Sequence, residues 1–266
     1  MAAPAGRRIP VWRTVVDAYA VTFSNLGYLA QISWAWVLLT ILIHIAFNYA
    51  DILLEWQTAP EAWVRVFYVL ASWLIMTPLA ASIYVAWHRL LLRDESWPCA
   101  WYLRFDKIVV RYLVPSAAMS LIMFGPLLVV MAVWKPDATE DPPDFLVPIV
   151  FAALIFGYLL TTKVWLILPA RALERPLTFQ NAWTAAGGNL LRLAVGAQIA
   201  LLPAWILIFL LAWADYPALL QDRPAVRLVA EALEDVVLGC LLVMPMVSFL
   251  SLAYRELLER VDWTDR

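Results

Sequence analysis

The sequence predicts an all-α fold, a polytopic membrane helical bundle of six transmembrane helices flanked by interfacial amphipathic helices. Three observations predict it. Of 266 residues, 64% are hydrophobic and 15% charged, with mean hydropathy +0.76, against roughly 45–50% apolar and ~25% charged in a soluble domain. Six apolar runs reach the ~20 residues that a helix needs to cross a ~30 Å hydrocarbon core. Charged and turn-forming residues collect between the runs. Strands of a membrane barrel would be about ten residues long and would alternate in polarity, and these runs do neither. One membrane domain, 1–266, accounts for the chain, because no connection is long enough to fold alone.

The spans are 28–50, 66–88, 113–134, 146–168, 193–214 and 235–254. Lys and Arg bias sets their direction. The N-terminal segment, the 89–112 and 169–192 connections and the C-terminal tail hold 14 of the 19 basic residues. The other three connections, with Asp235 at the start of the sixth span, hold 4 basic residues and 12 acids. Both termini are therefore expected in the cytoplasm. Arg13 and Asp17 interrupt the uncharged core that a signal peptide would need, so no cleaved segment is expected. Most of the 15 Trp fall near span ends, where the indole prefers the interface.

A short amphipathic stretch precedes each odd-numbered span. In the first, Val11, Trp12, Val15, Val16, Tyr19 and Phe23 share a helical face away from Arg13, Asp17 and Ser24. In the second, Trp101, Phe105, Ile108 and Tyr112 share one face and Arg104, Lys107 and Arg111 another, the pattern of a basic helix in the headgroup plane. In the third, Thr178 is an N-cap, Phe179, Ala182, Trp183 and Ala186 face the membrane, and Gly187-Gly188 ends the helix.

A shift of 164 residues aligns Asp17-Ala18-Tyr19 with Asn181-Ala182-Trp183, Asn25-Leu26 with Asn189-Leu190, and Leu29-Ala30 with Leu193-Ala194. Each even-numbered span runs into an Arg-rich end, at Arg89-Leu90-Leu91-Leu92-Arg93, Arg171-Ala172-Leu173-Glu174-Arg175 and Arg255-Glu256-Leu257-Leu258-Glu259-Arg260. These features fit three repeats of interfacial helix plus hairpin, at about 11–95, 100–175 and 178–260, related about the membrane normal. Prolines 78, 126, 203 and 245 are expected to kink their spans and free carbonyls that neighbours must satisfy.

Intramembrane ionisable residues point to function. Away from the span ends, the only such residues among Asp, Glu, Lys, Arg and His are His44 and Lys163. No carboxylate is available there for a proton-coupled carrier or a paired-aspartate protease. His44 and His88 fall at opposite membrane faces and cannot ligate one haem or metal, and His44 with Asn48 makes at most an outer polar pair. Cys99 and Cys240 have no metal or disulfide spacing. No His-Glu-x-x-His, Gly-x-Ser-x-Gly or phosphate-binding loop occurs. The chain is therefore expected to be no enzyme, to carry no cofactor and, at a net charge of −2, to bind no nucleic acid.

Two candidate sites follow. Lys163 lies five residues from the inner end of the fourth span, within reach of the interface for a snorkelling side chain. Alternatively it joins Gln31, Gln198, Asn25 and Asn189 in a polar, singly cationic pocket open to the cytoplasm and suited to a headgroup or small anion. Separately, Arg104, Lys107 and Arg111 are placed to meet anionic lipids, at ~1 kcal/mol of attraction each.

The three hairpin units, Asn181-Ala182-Trp183 with Gly188-Asn189-Leu190 before the fifth span, and the closing Ala253-Tyr254-Arg255-Glu256-Leu257 give the chain a resemblance to bacterial six-span inner-membrane proteins of unassigned function. It is similar in the same way to the membrane domain of some glycerophosphodiester phosphodiesterases. The resemblance implies multi-pass residence in the inner membrane. It carries over no site residues, and without the soluble phosphodiesterase domain it does not carry over that activity. The resulting expectation is a non-enzymatic protein contacting lipids and membrane partners, or itself as a homo-oligomer. The alternative is a channel or facilitative transporter built on the Lys163 pocket. With Cys240 replaced by Ser, Cys99 should resist an impermeant thiol reagent in intact cells and react after permeabilisation; labelling in intact cells would reverse the topology.

Overall fold

A computed structural model describes residues 8–53, 62–96, 102, 104–133, 145–213, 226, 230 and 242–259. The described residues are helical, with no strand among them. In chain order the helices are α1 (Val11–Ser24), α2 (Leu26–Leu53), α3 (Ala62–Arg93), α4 (Lys107–Val133), α5 (Leu146–Thr162), α6 (Ile167–Ala172), α7 (Phe179–Ala186), α8 (Leu190–Ala200), α9 (Leu202–Trp213) and α10 (Met244–Tyr254). A π-helical turn, Arg255–Glu259, follows α10. Leu26–Ile43 in α2 and Lys107–Val130 in α4 are long and apolar enough to cross a membrane. The pair α8–α9 is a third such span if counted as one bent helix.

α10 is the centre of the packing. All of its residues except Met246 are buried, against α1, α3, α6 and α8. Its two serines are therefore cut off from water, and buried hydroxyls need partners. The indole N–H of Trp87 donates to Ser248 Oγ at 2.8 Å. Ser248 lies 2.8 Å from Thr22 Oγ1, which itself donates to the Ala18 carbonyl, so the Ser248 proton points to Thr22. One turn on, Ser251 Oγ donates to the Val247 carbonyl and lies 2.7 Å from His88 Nδ1. With its single hydrogen committed, Ser251 must accept from Nδ1–H. That leaves Nε2 of a neutral His88 to accept from Tyr112 Oη, 3.3 Å away. Two directed hydrogen-bond chains thus tie α1, α3, α4 and α10 together.

Several expected spans are divided, and each division has a local cause. The fifth bends by 50° at Leu201. Pro203, the second residue of α9, has no N–H to offer the Ile199 carbonyl. Tyr19 Oη on α1 takes its place, 3.1 Å from the Ile199 carbonyl and 3.0 Å from that of Ala200. The fourth ends as a helix at Thr162 and resumes as α6 after a turn of three-residue bonds. Pro169 withholds a donor from Trp165, and the hydroxyls of Thr161 and Thr162 bond the Tyr158 carbonyl. Pro245 stands in the first turn of α10, where a missing N–H costs nothing, directly after a bend at Val243.

The amphipathic stretches also resolve differently from one another. α1 packs on α8 and α10 through Thr14, Val15, Ala18 and Thr22 and leaves Trp12, Val16 and Phe23 exposed. The expected helix over 101–112 begins only at Lys107 and runs on into α4. α7 forms as expected, with Thr178 Oγ1 accepting from Asn181 N–H. Its Ala182 and Ala186 are buried in the core, however, and Phe179 is exposed, stacked on a Trp183 that is half-buried against that core. Asn25 and Asn189, equivalent under the 164-residue shift, share a backbone conformation: φ −113, ψ 23 and φ −125, ψ 8. Each N–H bonds the carbonyl three residues earlier, and each carbonyl accepts from four residues later.

Two glycines allow close helix crossings. A Cβ on Gly196 of α8 would run into the Phe249 ring of α10, and one on Gly157 of α5 would sit 2.9 Å from the Ile122 carbonyl of α4. Gly196→Ala should therefore lower thermal stability in detergent by about 1–3 kcal/mol, the usual cost of overpacking. Gly27→Ala, where nothing lies within 4 Å, should cost none. Equal melting of the two variants would refute the close packing.

Candidate functional site

One end of the bundle gathers charge beside exposed aromatic and aliphatic side chains. On α1, Trp12, Val16 and Phe23 form an exposed stripe continued by the half-buried Tyr19, which stacks on Phe23. Trp183 of α7 holds the Lys163 ammonium 3.9 Å from its ring centroid. A cation over an indole face is stabilised by the ring quadrupole, so Lys163 is docked on a neighbouring helix.

The other expected pocket residues have partners of their own. Gln198 accepts from the indole N–H of Trp205 across the α8–α9 bend at 2.9 Å, and Tyr158 Oη beside it donates to the Ala194 carbonyl. Asn25 donates to the Val21 carbonyl and to Ser24, both in α1. Asn189 is buried and accepts from the Ile9 N–H at 2.9 Å. Gln31 lies half-buried on α2. Lys163, Gln198, Asn25 and Asn189 thus brace four separate junctions. His44 lies in α2, and its side chain and that of Asn48 fall outside the described residues.

The basic trio divides as well. Arg104 precedes the helix, is mostly buried and pairs with Asp106, while its N–H donates to Ser82. Asp106 is the N-cap of α4, accepting from the N–H groups of Ile108 and Val109 at 3.0 and 3.1 Å. Partial burial pushes its carboxyl up, but the Val109 N–H, the Arg104 guanidinium and the Ile108 N–H together outweigh that and hold it below the usual range. Arg104 is therefore neutralised, while Lys107 and Arg111 stay exposed. Arg89 and Arg93 at the end of α3 bond the last carbonyls around α6, at Ala172 and Leu173, and Arg89 pairs with Glu95 and Glu174.

The N-terminal arm closes this end. Ile9 is fully buried, its N–H held by Asn189 and its carbonyl by Arg192 Nη1 at 2.9 Å. Beside the arm lies a cavity of about 410 Å³ lined by Pro10, Arg13, Thr14, Asp17, Leu252, Arg255 and Glu256. Sequence reasoning missed it, since nothing local links α1 to residues some 240 positions later. Among the described residues, no group of His, Cys, Asp and Glu is arranged to hold a metal.

The chain matches no protein-family model, no curated protein and no solved structure. Asn189→Leu would strand the buried Ile9 N–H, at about 1–3 kcal/mol. It should speed proteolytic removal of the N-terminal arm, whereas Asn25→Leu, whose amide bonds only α1, should not. Equal cleavage rates in the two variants would refute the clamp.

Proposed function

We propose that this chain is a non-enzymatic, multi-pass protein of the bacterial inner membrane that contacts anionic lipids and membrane partner proteins through its basic end. In this reading six helices cross the bilayer, both termini are cytoplasmic, and three hairpin repeats build the bundle. The matching conformations of Asn25 and Asn189 support the relation of the first repeat to the third.

The observation that carries the reading is the surface of α4, α5 and α9. Leu121, Phe124 and Val129, then Phe151, Ile155 and Phe156, then Ile206, Phe209 and Trp213 are all exposed, and only 6% of an apolar 18-residue stretch of α4 is buried within the fold. Water would oppose so large an apolar surface at about 25 cal/mol per Å², and a lipid bilayer removes that cost. Lys107 and Arg111 stand exposed where α4 begins, and in this reading these two cations meet the headgroups beside a lipid-facing helix.

The transporter alternative draws no support from the polar residues expected to line its pocket. Lys163, Gln198, Asn25 and Asn189 spend their polar groups on separate helix junctions.

In nanodiscs of phosphatidylcholine and phosphatidylglycerol, the protein should retain phosphatidylglycerol preferentially at low salt. Lys107→Gln with Arg111→Gln should remove about 2 kcal/mol of that preference, roughly 30-fold. Arg104→Gln should remove far less, since Asp106 already neutralises it. An unchanged preference in the double variant would overturn the reading.

A further inference from the structure

An interfacial amphipathic helix lies flat among the headgroups, but the packing of α1 gives it another direction. Ile9 pairs with Asn189 and Tyr19 with Ile199, each across 180 residues, so α1 runs alongside α8 in the same sense. Against α10 it runs in the opposite sense. Pro10, Arg13 and Thr14 line a cavity with Leu252 and Arg255, whereas Thr22 meets Ser248, earlier in α10.

These pairings give each end of α1 a depth. Ser248 precedes Arg255 by about 10 Å of helix, so Thr22 sits that far into the bundle from the charged end where α1 starts. Trp87 of α3 donates to the same Ser248, and the ring of Tyr28, near the start of α2, lies 6.4 Å from that of Trp87. Only Asn25 separates α1 from α2. The charge pattern agrees with this path: Arg13 and Asp17 pair near the start of α1, and no Asp, Glu, Lys or Arg follows from Ala18 to Ala50.

The outward side of α1 fits the same path. Trp12, Val16 and Phe23 are exposed. At the levels set by the α8 pairing, α8 and α9 expose Leu191, Val195 and Leu202. Apolar residues therefore face outward at matching depths on both, and the exposed apolar surface of α9 continues onto α8 and α1.

We propose that α1 is a membrane-embedded half-span whose stripe packs on lipid chains of the cytoplasmic leaflet, with Trp12 at headgroup level and Phe23 in the hydrocarbon. This rests on the membrane reading above and adds to its six crossings a helix that occupies one leaflet only.

The test uses the full-length protein with Cys99 and Cys240 replaced by Ser, in vesicles of phosphatidylcholine and phosphatidylglycerol. Nitroxide labels are placed singly at Trp12→Cys, Val16→Cys and Phe23→Cys, all at exposed side chains, and at Phe209→Cys on α9 as a reference. Oxygen concentrates in hydrocarbon and a nickel chelate in water, so their relative effect on each label's relaxation reports its depth. Trp12 and Phe23 point about 20° apart around the helix, and a flat helix would hold both at one depth. The expected result is increasing depth in the order 12, 16, 23, with label 23 at least about 8 Å deeper than label 12, half of the ~16 Å that eleven helical residues span. Equal depths at 12 and 23, with label 209 in hydrocarbon, would overturn the proposal in favour of a flat interfacial helix. All three α1 labels in water, with label 209 in hydrocarbon, would overturn it in favour of a surface for a soluble partner. Label 209 in water would sink the membrane reading itself, and the half-span with it.

Discussion

The fold depends on satisfying the hydroxyls of a helix that has no access to water. Ser248 and Ser251 lie one turn apart on α10, and consecutive residues of α3, Trp87 and His88, meet them. Thr22 of α1 and Tyr112 of α4 extend the two chains. Each chain runs donor to acceptor without a break and ends on a helix carbonyl, so every member polarises the next. An apolar α10 would pack, but it could slide or rotate against its neighbours. The serines set its register, because a shift of one residue would strand four buried polar groups at 1–3 kcal/mol apiece.

The same rule governs the bent helices. At Leu201 and after Thr162 the backbone gives up helical bonds near proline; Tyr19 supplies a donor from the side at the first bend, and three-residue backbone bonds carry the chain through the second. Gln198 and Lys163 sit at these breaks and are engaged there, with Trp205 and Trp183. Polar side chains that look like a site in one dimension thus serve as joints. Exposed cations lie instead at the start of α4, at Lys107 and Arg111.

Much of this was legible in the residues themselves. Apolar runs called for helices, Thr178 is the expected N-cap, and Asn25 and Asn189, aligned by the 164-residue shift, share a backbone conformation. Faces were harder to assign. Ala182 and Ala186 are apolar and periodic, so patterning alone cannot distinguish a membrane face from a core face; their small size suits close packing, and they lie in the core. Arg104 reads as one of three equivalent cations until Asp106, two residues on, is seen to cap the helix and neutralise it.

What the sequence by itself determined is therefore the element type and helices long and apolar enough to cross a membrane. An apolar content of 64% and six long apolar runs admit helices that satisfy their own backbone groups, and they leave little ionisable chemistry within the runs. Only the tertiary structure decided which polar group meets which. Asn189 meets Ile9 across 180 residues, Thr22 meets Ser248 across 226, and α1 faces Arg255 over a cavity. Periodicity reports a residue's angle about its own helix axis. Hydrogen bonds and cavities depend on how several axes pack together, and no local spacing carries that information.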